Sequence, residues 1–253
     1  MYRPRIIPCL LLENLGLVKT IRFKNPKYVG DPMNAIRIFN KKKADELIFL
    51  DITATRQKRS IDIEFIKKIS EECAMPFTAG GGIKSMSEIE HVFASGAEKI
   101  VINSAATIDT SIIKEASQHF GRQSIIVGVD VKKNFWGRYG VYSNGGTKST
   151  NKNLTDYIKT IEDKGAGELF INSIDQDGTY NGYDIDIIKK ITDLVNIPVI
   201  ACGGASGLND IKTVVVRGNA SAAAAGSLFV FHGEKRAVLI NYPSKIEKIE
   251  LFK

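Results

Sequence analysis

Cysteine is scarce and scattered in this chain of 253 residues: Cys9, Cys73 and Cys202 stand far apart and form no CxxC pair. That spacing excludes a disulfide framework and a zinc ribbon, and it suits a reducing cytoplasm. Histidine is equally rare, with His91 and His119 in helical segments and His232 beyond the last strand-like run. No residues fall at metal-ligand spacing, so neither a metal nor a cofactor is expected. No stretch of 18 apolar residues occurs, which excludes a spanning helix. Arg3, Pro4, Arg5 and Pro8 do not make a signal peptide. Also missing is a basic stripe interleaved with aromatics. The formal charge is +7, from 35 Lys+Arg against 28 Asp+Glu, but the lysines are scattered and point to no nucleic acid. The same field would steer an anionic small molecule, and KKK at 41–43 reads as a solvated helix end.

What is present is an ordinary globular balance, 43% hydrophobic and 25% charged, at a length that suits one domain over residues 1–253. Eight short apolar runs recur: IIPCLLL (6–12), ELIFLDI (46–52), MPFTAGG (75–81), KIVINSA (99–105), SIIVGVDV (124–131), ELFINSID (168–175), IPVIACGG (197–204) and ASAAAAGS (220–227). Most are continuously apolar, as parallel strands covered on both faces require. Between them, residues 61–74, 87–97, 110–121, 153–167 and 183–196 carry apolar residues at helical spacing. Eight strands alternating with helices predict a (β/α)8 TIM barrel; a doubly wound sheet would use fewer strands or show a GxGxxG turn. Residues 80–104 align with 202–226, pairing Gly81 with Gly203, Gly82 with Gly204, Ile89 with Ile211, Val92 with Val214 and Gly96 with Gly218. A repeat about half the chain length apart implies an internal duplication of half-barrels.

The repeated glycines carry the first chemical expectation. Gly80–Gly82 and Gly203–Gly204 each follow a strand and precede a helix, where bare backbone N–H groups can cradle a phosphate. Asn103 and Ser104 after the fourth run, and Gly226 and Ser227 after the eighth, are the neighbours of these turns. Two such cradles at symmetric positions would hold a ligand with a phosphate at each end. Carboxylates form the second expectation: Asp51, Asp130, Asp175 and Asp177 stand at or just past strand ends, where barrel enzymes keep acids and bases. Trp136, in KKNFWGRYGVYSNG, reads as a packing anchor inside a hairpin inserted after the fifth run.

The motifs RIIPCL, GDP (30–32), DELIFLDITA (45–54), PFTAGGGI (76–83), KIVINSAA (99–106), VGVDVK (127–132), GAGELFINSIDQDGT (165–179) and GYD (182–184) resemble the cyclase-subunit family of imidazole-glycerol-phosphate synthase. The likeness runs from residue 5 to about residue 232. It implies a duplicated (β/α)8 barrel that takes ammonia from a glutaminase subunit docked at its N-terminal face. The ammonia crosses the barrel to a doubly phosphorylated ribulosyl formimino nucleotide at the opposite face. Carried over, it implies phosphate contacts at Gly82, Asn103 and Ser104 and at Gly203, Gly204, Gly226 and Ser227. It makes Asp130 a catalytic acid/base, with Asp51, Asp177 and Thr179 lining the pocket and Lys19 on a mobile first loop. It also implies a charged ring of Arg5, Glu46, Lys99 and Glu168 at the ammonia entrance.

One position departs. The family's first strand ends in an aspartate that partners Asp130, and here Leu11 stands there. Glu13 is two residues further on. The segment after it and the tail FHGEKRAVLINYPSK also depart, the tail implying a shorter last helix. The pattern resembles the family's surface-polysaccharide paralogues, which work with a glutaminase and an ATP-dependent amidotransferase to amidate an N-acetyl sugar. That is the first expectation for function. The alternatives are a histidine-pathway cyclase using another carboxylate and a non-catalytic activator of the glutaminase.

Overall fold

The computed structural model of the chain describes residues 4–233 and 235–253, so Arg3 lies outside the described residues. All eight apolar runs become strands: β1 (Arg5–Glu13), β2 (Leu47–Asp51), β3 (Phe77–Gly80), β4 (Lys99–Ile102), β5 (Ile125–Lys133), β6 (Glu168–Ser173), β7 (Val199–Cys202) and β8 (Ala222–Ala225). Each pairs in parallel with its neighbours in sequence order. The ring closes where β8 meets β1, from Arg5↔Ala222 to Pro8↔Ala225. The result is the expected (β/α)8 barrel.

Alternation along the strands sorts side chains into two layers. Ile7, Cys9, Ile48, Val101, Ile126, Phe170 and Ile200 fill the interior with the small Ala222 and Ala224. The opposite face of each strand joins the larger core beneath the helices, including Ile6 and Leu10 on β1, Phe49 on β2 and Val127 on β5. The five anticipated helices form as Ile63–Glu72, Met86–Ala94, Ser111–Phe120, Leu154–Asp163 and Ile185–Thr192. Their starts are chemically marked: Asp62, Asn153 and Asp184 each cap a helix by accepting a backbone N–H. Ser85 and Glu88 make a reciprocal capping box. Helices Pro32–Lys42 and Leu208–Val216 complete the outer ring on the first and last halves.

The first connection differs from expectation. Rather than an irregular loop, it is a pair of strands: β1 turns at Asn14–Leu15 into strand Gly16–Ile21, which turns at Arg22–Phe23 into strand Lys24–Gly30. After β5, strand Tyr139–Ser143 returns antiparallel, forming the expected hairpin. Trp136 is not its packing anchor: it is 79% exposed, because it sits in the turn, where the chain has no sheet face to cover. Its ring meets that of Phe135 edge to face. The tail ends in a short helix, Lys245–Leu251.

Candidate active site

A cavity of about 410 Å³ opens at the C-terminal ends of the strands. Its wall contains the glycines of both halves, Gly82 on one side and Gly203, Gly204 and Gly226 on the other. The two halves use their glycines alike. An added Cβ at Gly82 would stand 1.9 Å from the Arg59 carbonyl oxygen, and one at Gly204 would stand 2.1 Å from that of Gly182. Both residues also have positive φ, +65° and +102°. Each turn is thus pressed against the loop from the preceding strand, and only glycine fits. Asn103, Ser104 and Ser227 stand at the starts of the short helices that follow β4 and β8, and all three line the same cavity.

Asp130 lies at the centre, on β5, facing inward. Burial raises its pKa to about 7, although Asn103 donates a hydrogen bond that favours the charged form, and Asp177 adds a like charge nearby. Burial also pushes the Asp177 carboxyl up, against hydrogen bonds from the Thr20 hydroxyl (2.7 Å) and the Phe23 N–H (3.1 Å). Lys19 is buried as well, and its Nζ donates to the Cys9 carbonyl oxygen at 2.6 Å. Desolvation lowers its pKa, opposed by the negative charges of neighbours that include Asp177.

Asp51 borders the cavity, yet its carboxylate is already engaged. Oδ1 accepts from the Thr53 N–H and hydroxyl at 2.9 and 2.7 Å and from the Ala54 N–H at 3.1 Å. Oδ2 pairs with Arg59 at 2.6 Å. Its visible work is to fold the loop after β2. Thr179 is not brought to the cavity wall; its hydroxyl donates to the Gln176 carbonyl at 2.8 Å and braces that turn. Leu11 does line the cavity, whereas Glu13 does not. The carboxylates around the mouth are therefore Asp51, Asp130 and Asp177. His91, His119 and His232 are exposed and do not line it.

At the opposite end, Arg5, Glu46, Lys99 and Glu168 close into a ring of alternating sign. Arg5 pairs with Glu46 at 2.6 Å and with Glu168, while Lys99 pairs with Glu168 at 2.5 Å and faces Glu46 at 3.7 Å. The Thr78 hydroxyl donates to Glu46 at 3.0 Å. Burial pulls the Arg5 pKa down, but its bonds to Glu168 and Glu46 raise it overall, so it stays charged.

Sequence reasoning missed three features. Cys9 and Cys202, remote in sequence, come together in the interior of the barrel. Arg59 lines the mouth as the partner of Asp51. Asn172 faces the cavity from β6. The inward parity of β6, shared with Glu168 and Phe170, was the signal that could have found Asn172.

The chain matches the family model of histidine biosynthesis proteins over residues 5–235. It is 48% identical over 251 residues to a Pseudomonas aeruginosa protein with the provisional name imidazole glycerol phosphate synthase subunit hisF2, covering 99% of this chain and 100% of that one. It is 46% identical over 253 residues, 100% of both chains, to a Leptospira borgpetersenii protein provisionally named imidazole glycerol phosphate synthase subunit HisF. Over 232 residues, 92% of each chain, it is 42% identical to the imidazole glycerol phosphate synthase subunit HisF of Alkaliphilus metalliredigens.

Proposed function

Because the chain belongs to the histidine biosynthesis protein family, we propose that it is the barrel subunit of a glutamine amidotransferase of the imidazole-glycerol-phosphate-synthase type. In this reading a glutaminase docks over the charged ring, and its ammonia crosses the barrel to a phosphorylated acceptor at the mouth. One observation carries it: a single barrel has a closed ring of Arg5, Glu46, Lys99 and Glu168 at one end and paired glycine cradles around Asp130 at the other. The relatives are named as imidazole glycerol phosphate synthase subunits, which supports the cyclase reading, with a doubly phosphorylated formimino nucleotide as its acceptor, over the sugar expected first. The cradles at Gly82, Asn103 and Ser104 and at Gly203, Gly204, Gly226 and Ser227 would take its two phosphates, with Lys19 beside Gly226. Asp130 would remove a proton from the adding nitrogen and return one to the departing group. With a pKa about 7 it can do either near neutrality.

One observation favours a second reading. Leu11 faces the cavity where the family pattern has an aspartate, so Asp130 has no carboxylate partner on β1. An acceptor activated elsewhere, such as an N-acetyl sugar handled by an ATP-dependent amidotransferase, would not need that partner. Incubation with the formimino nucleotide and ammonium salt separates the two. Imidazole product that disappears in Asp130→Asn supports the cyclase reading. No product from the native chain, with product gained in Leu11→Asp, supports the sugar reading.

A further inference from the structure

β6 presents inward residues of changing character: Glu168 in the charged ring, Phe170 in the apolar interior and Asn172 at the floor of the mouth. Asn172 stands in register with Asp130 on the neighbouring strand. It is only 7% exposed and lines the cavity, yet its Oδ1 has no hydrogen-bond partner among the described residues. An unpaired buried acceptor is costly to leave desolvated, so its persistence in a cavity wall points to a donor that arrives with a ligand.

The surroundings narrow that donor. Below Asn172, the side chains of Phe170, Ile126 and Ile200 offer no polar atom. Nearby acceptors are already occupied, the Cys9 carbonyl by Lys19 and Asp177 by Thr20 and Phe23. A Cβ at Gly203 would stand 3.2 Å from Asn172 Oδ1, so the glycine keeps that oxygen approachable. Adjacent strands lie about 4.8 Å apart. A tetrahedral nitrogen making two N–H···O bonds of about 2.9 Å spans acceptors at nearly that separation. A small nitrogen with several N–H groups can donate to both members of a pair on neighbouring strands, whereas a single hydroxyl reaches one acceptor.

We infer that Asn172 Oδ1 and the Asp130 carboxylate together bind the nitrogen of ammonia as it leaves the apolar interior. This rests on the reading that ammonia crosses the barrel, and it adds the residue that receives it. The Asn172 oxygen orients the nitrogen, while Asp130 faces the proton it must lose.

Side-chain NMR on the whole chain, titrated with ammonium chloride against potassium chloride at matched ionic strength, tests binding without any acceptor substrate. The Asn172 carboxamide and Asp130 carboxyl signals should shift saturably with ammonium and not with potassium. The Asp130 response should vanish in Asn172→Leu and in Asn172→Ala and persist in Asn172→Asp. With the formimino nucleotide, Asn172→Leu should raise the KM for ammonium about 10-fold, the equivalent of one hydrogen bond, and leave the nucleotide KM nearly unchanged. An equal response to potassium, or an ammonium response that survives in both Asn172→Leu and Asn172→Ala, overturns the inference. So does a rise in nucleotide KM with ammonium KM unchanged, which would assign the oxygen to the acceptor. Absence of imidazole product from the native chain would count against the proposed function alone, since the NMR result stands without it.

Discussion

Asp130 sets what the mouth can do with a proton, and the same environment sets its cost to the fold. Its carboxyl is buried with one donor, Asn103, and the like-charged Asp177 nearby, which together leave its pKa at about 7. A folded pKa above the unfolded one means that the folded chain holds the proton more tightly. Stability from that proton is present at low pH and is lost as pH rises toward 7, and the loss is complete above it. At ~1.4 kcal/mol per pKa unit, the ionised form costs roughly 4 kcal/mol. Asp130→Asn should therefore raise thermal stability, and by more at pH 8 than at pH 5, while reducing product formation by about 10²–10⁴-fold. Thermal unfolding at the two pH values and an ammonium-driven assay check both halves; equal stabilisation at the two pH values would contradict a raised pKa. Asp130 was legible in the sequence because an aspartate near the end of the apolar run IIVGVDV stands where barrel chemistry sits. Its surroundings were not legible, because Asn103 and Asp177 arrive from the segments that follow β4 and β6.

At the scale of elements, the barrel strands and most helices could be read from apolar period and caps, but the hairpin over the mouth could not. Its two turns place Asn14 and Leu15, then Arg22 and Phe23, at positive φ without a glycine. The dipeptide signals that normally announce such turns are therefore missing. Strand Lys24–Gly30 is exposed along most of its length and shows no alternation. What fixes the hairpin comes from the loop after β6. Asp177 accepts from Thr20 and Phe23, its carbonyl accepts from the Arg22 N–H at 2.9 Å, and a Cβ at Gly178 would stand 2.2 Å from the Thr20 oxygen. Lys19 is held in its buried place by this latch. Asp177→Ala removes two side-chain bonds and should destabilise the chain by about 1–3 kcal/mol. Hydrogen exchange should quicken over residues 19–23, with the barrel strands unchanged. Uniform exchange across the chain would show that Asp177 supports the core rather than the hairpin.

For the molecule as a whole, the two polar ends are separated by the apolar interior. The half-barrel repeat was legible because Gly81–Gly82 and Gly203–Gly204 are demanded by the same backbone packing in each half. The closure of the ring, and the meeting of Cys9 with Cys202, were hidden because they join strands distant in sequence. Under the proposed function, ring geometry bears directly on ammonia transfer. Glu46 and Glu168 are buried and depend on Arg5 and Lys99 for compensation. Lys99→Ala leaves both acids facing Arg5 alone among the ring's cations. Because Lys99 is itself partly exposed, the loss of stability should stay below ~3 kcal/mol, the lower end for breaking a fully buried pair. The barrel should still fold and still bind a glutaminase. With ammonium salt as nitrogen source, product formation should match that of the native chain, because the mouth is untouched. With glutamine and the glutaminase, the product formed per glutamine hydrolysed should fall, because the altered ring no longer admits ammonia in step with its release. An unchanged ratio in Lys99→Ala and in Arg5→Ala would make the ring a stabilising ion cluster only, and ammonia would have to reach Asp130 by way of the mouth.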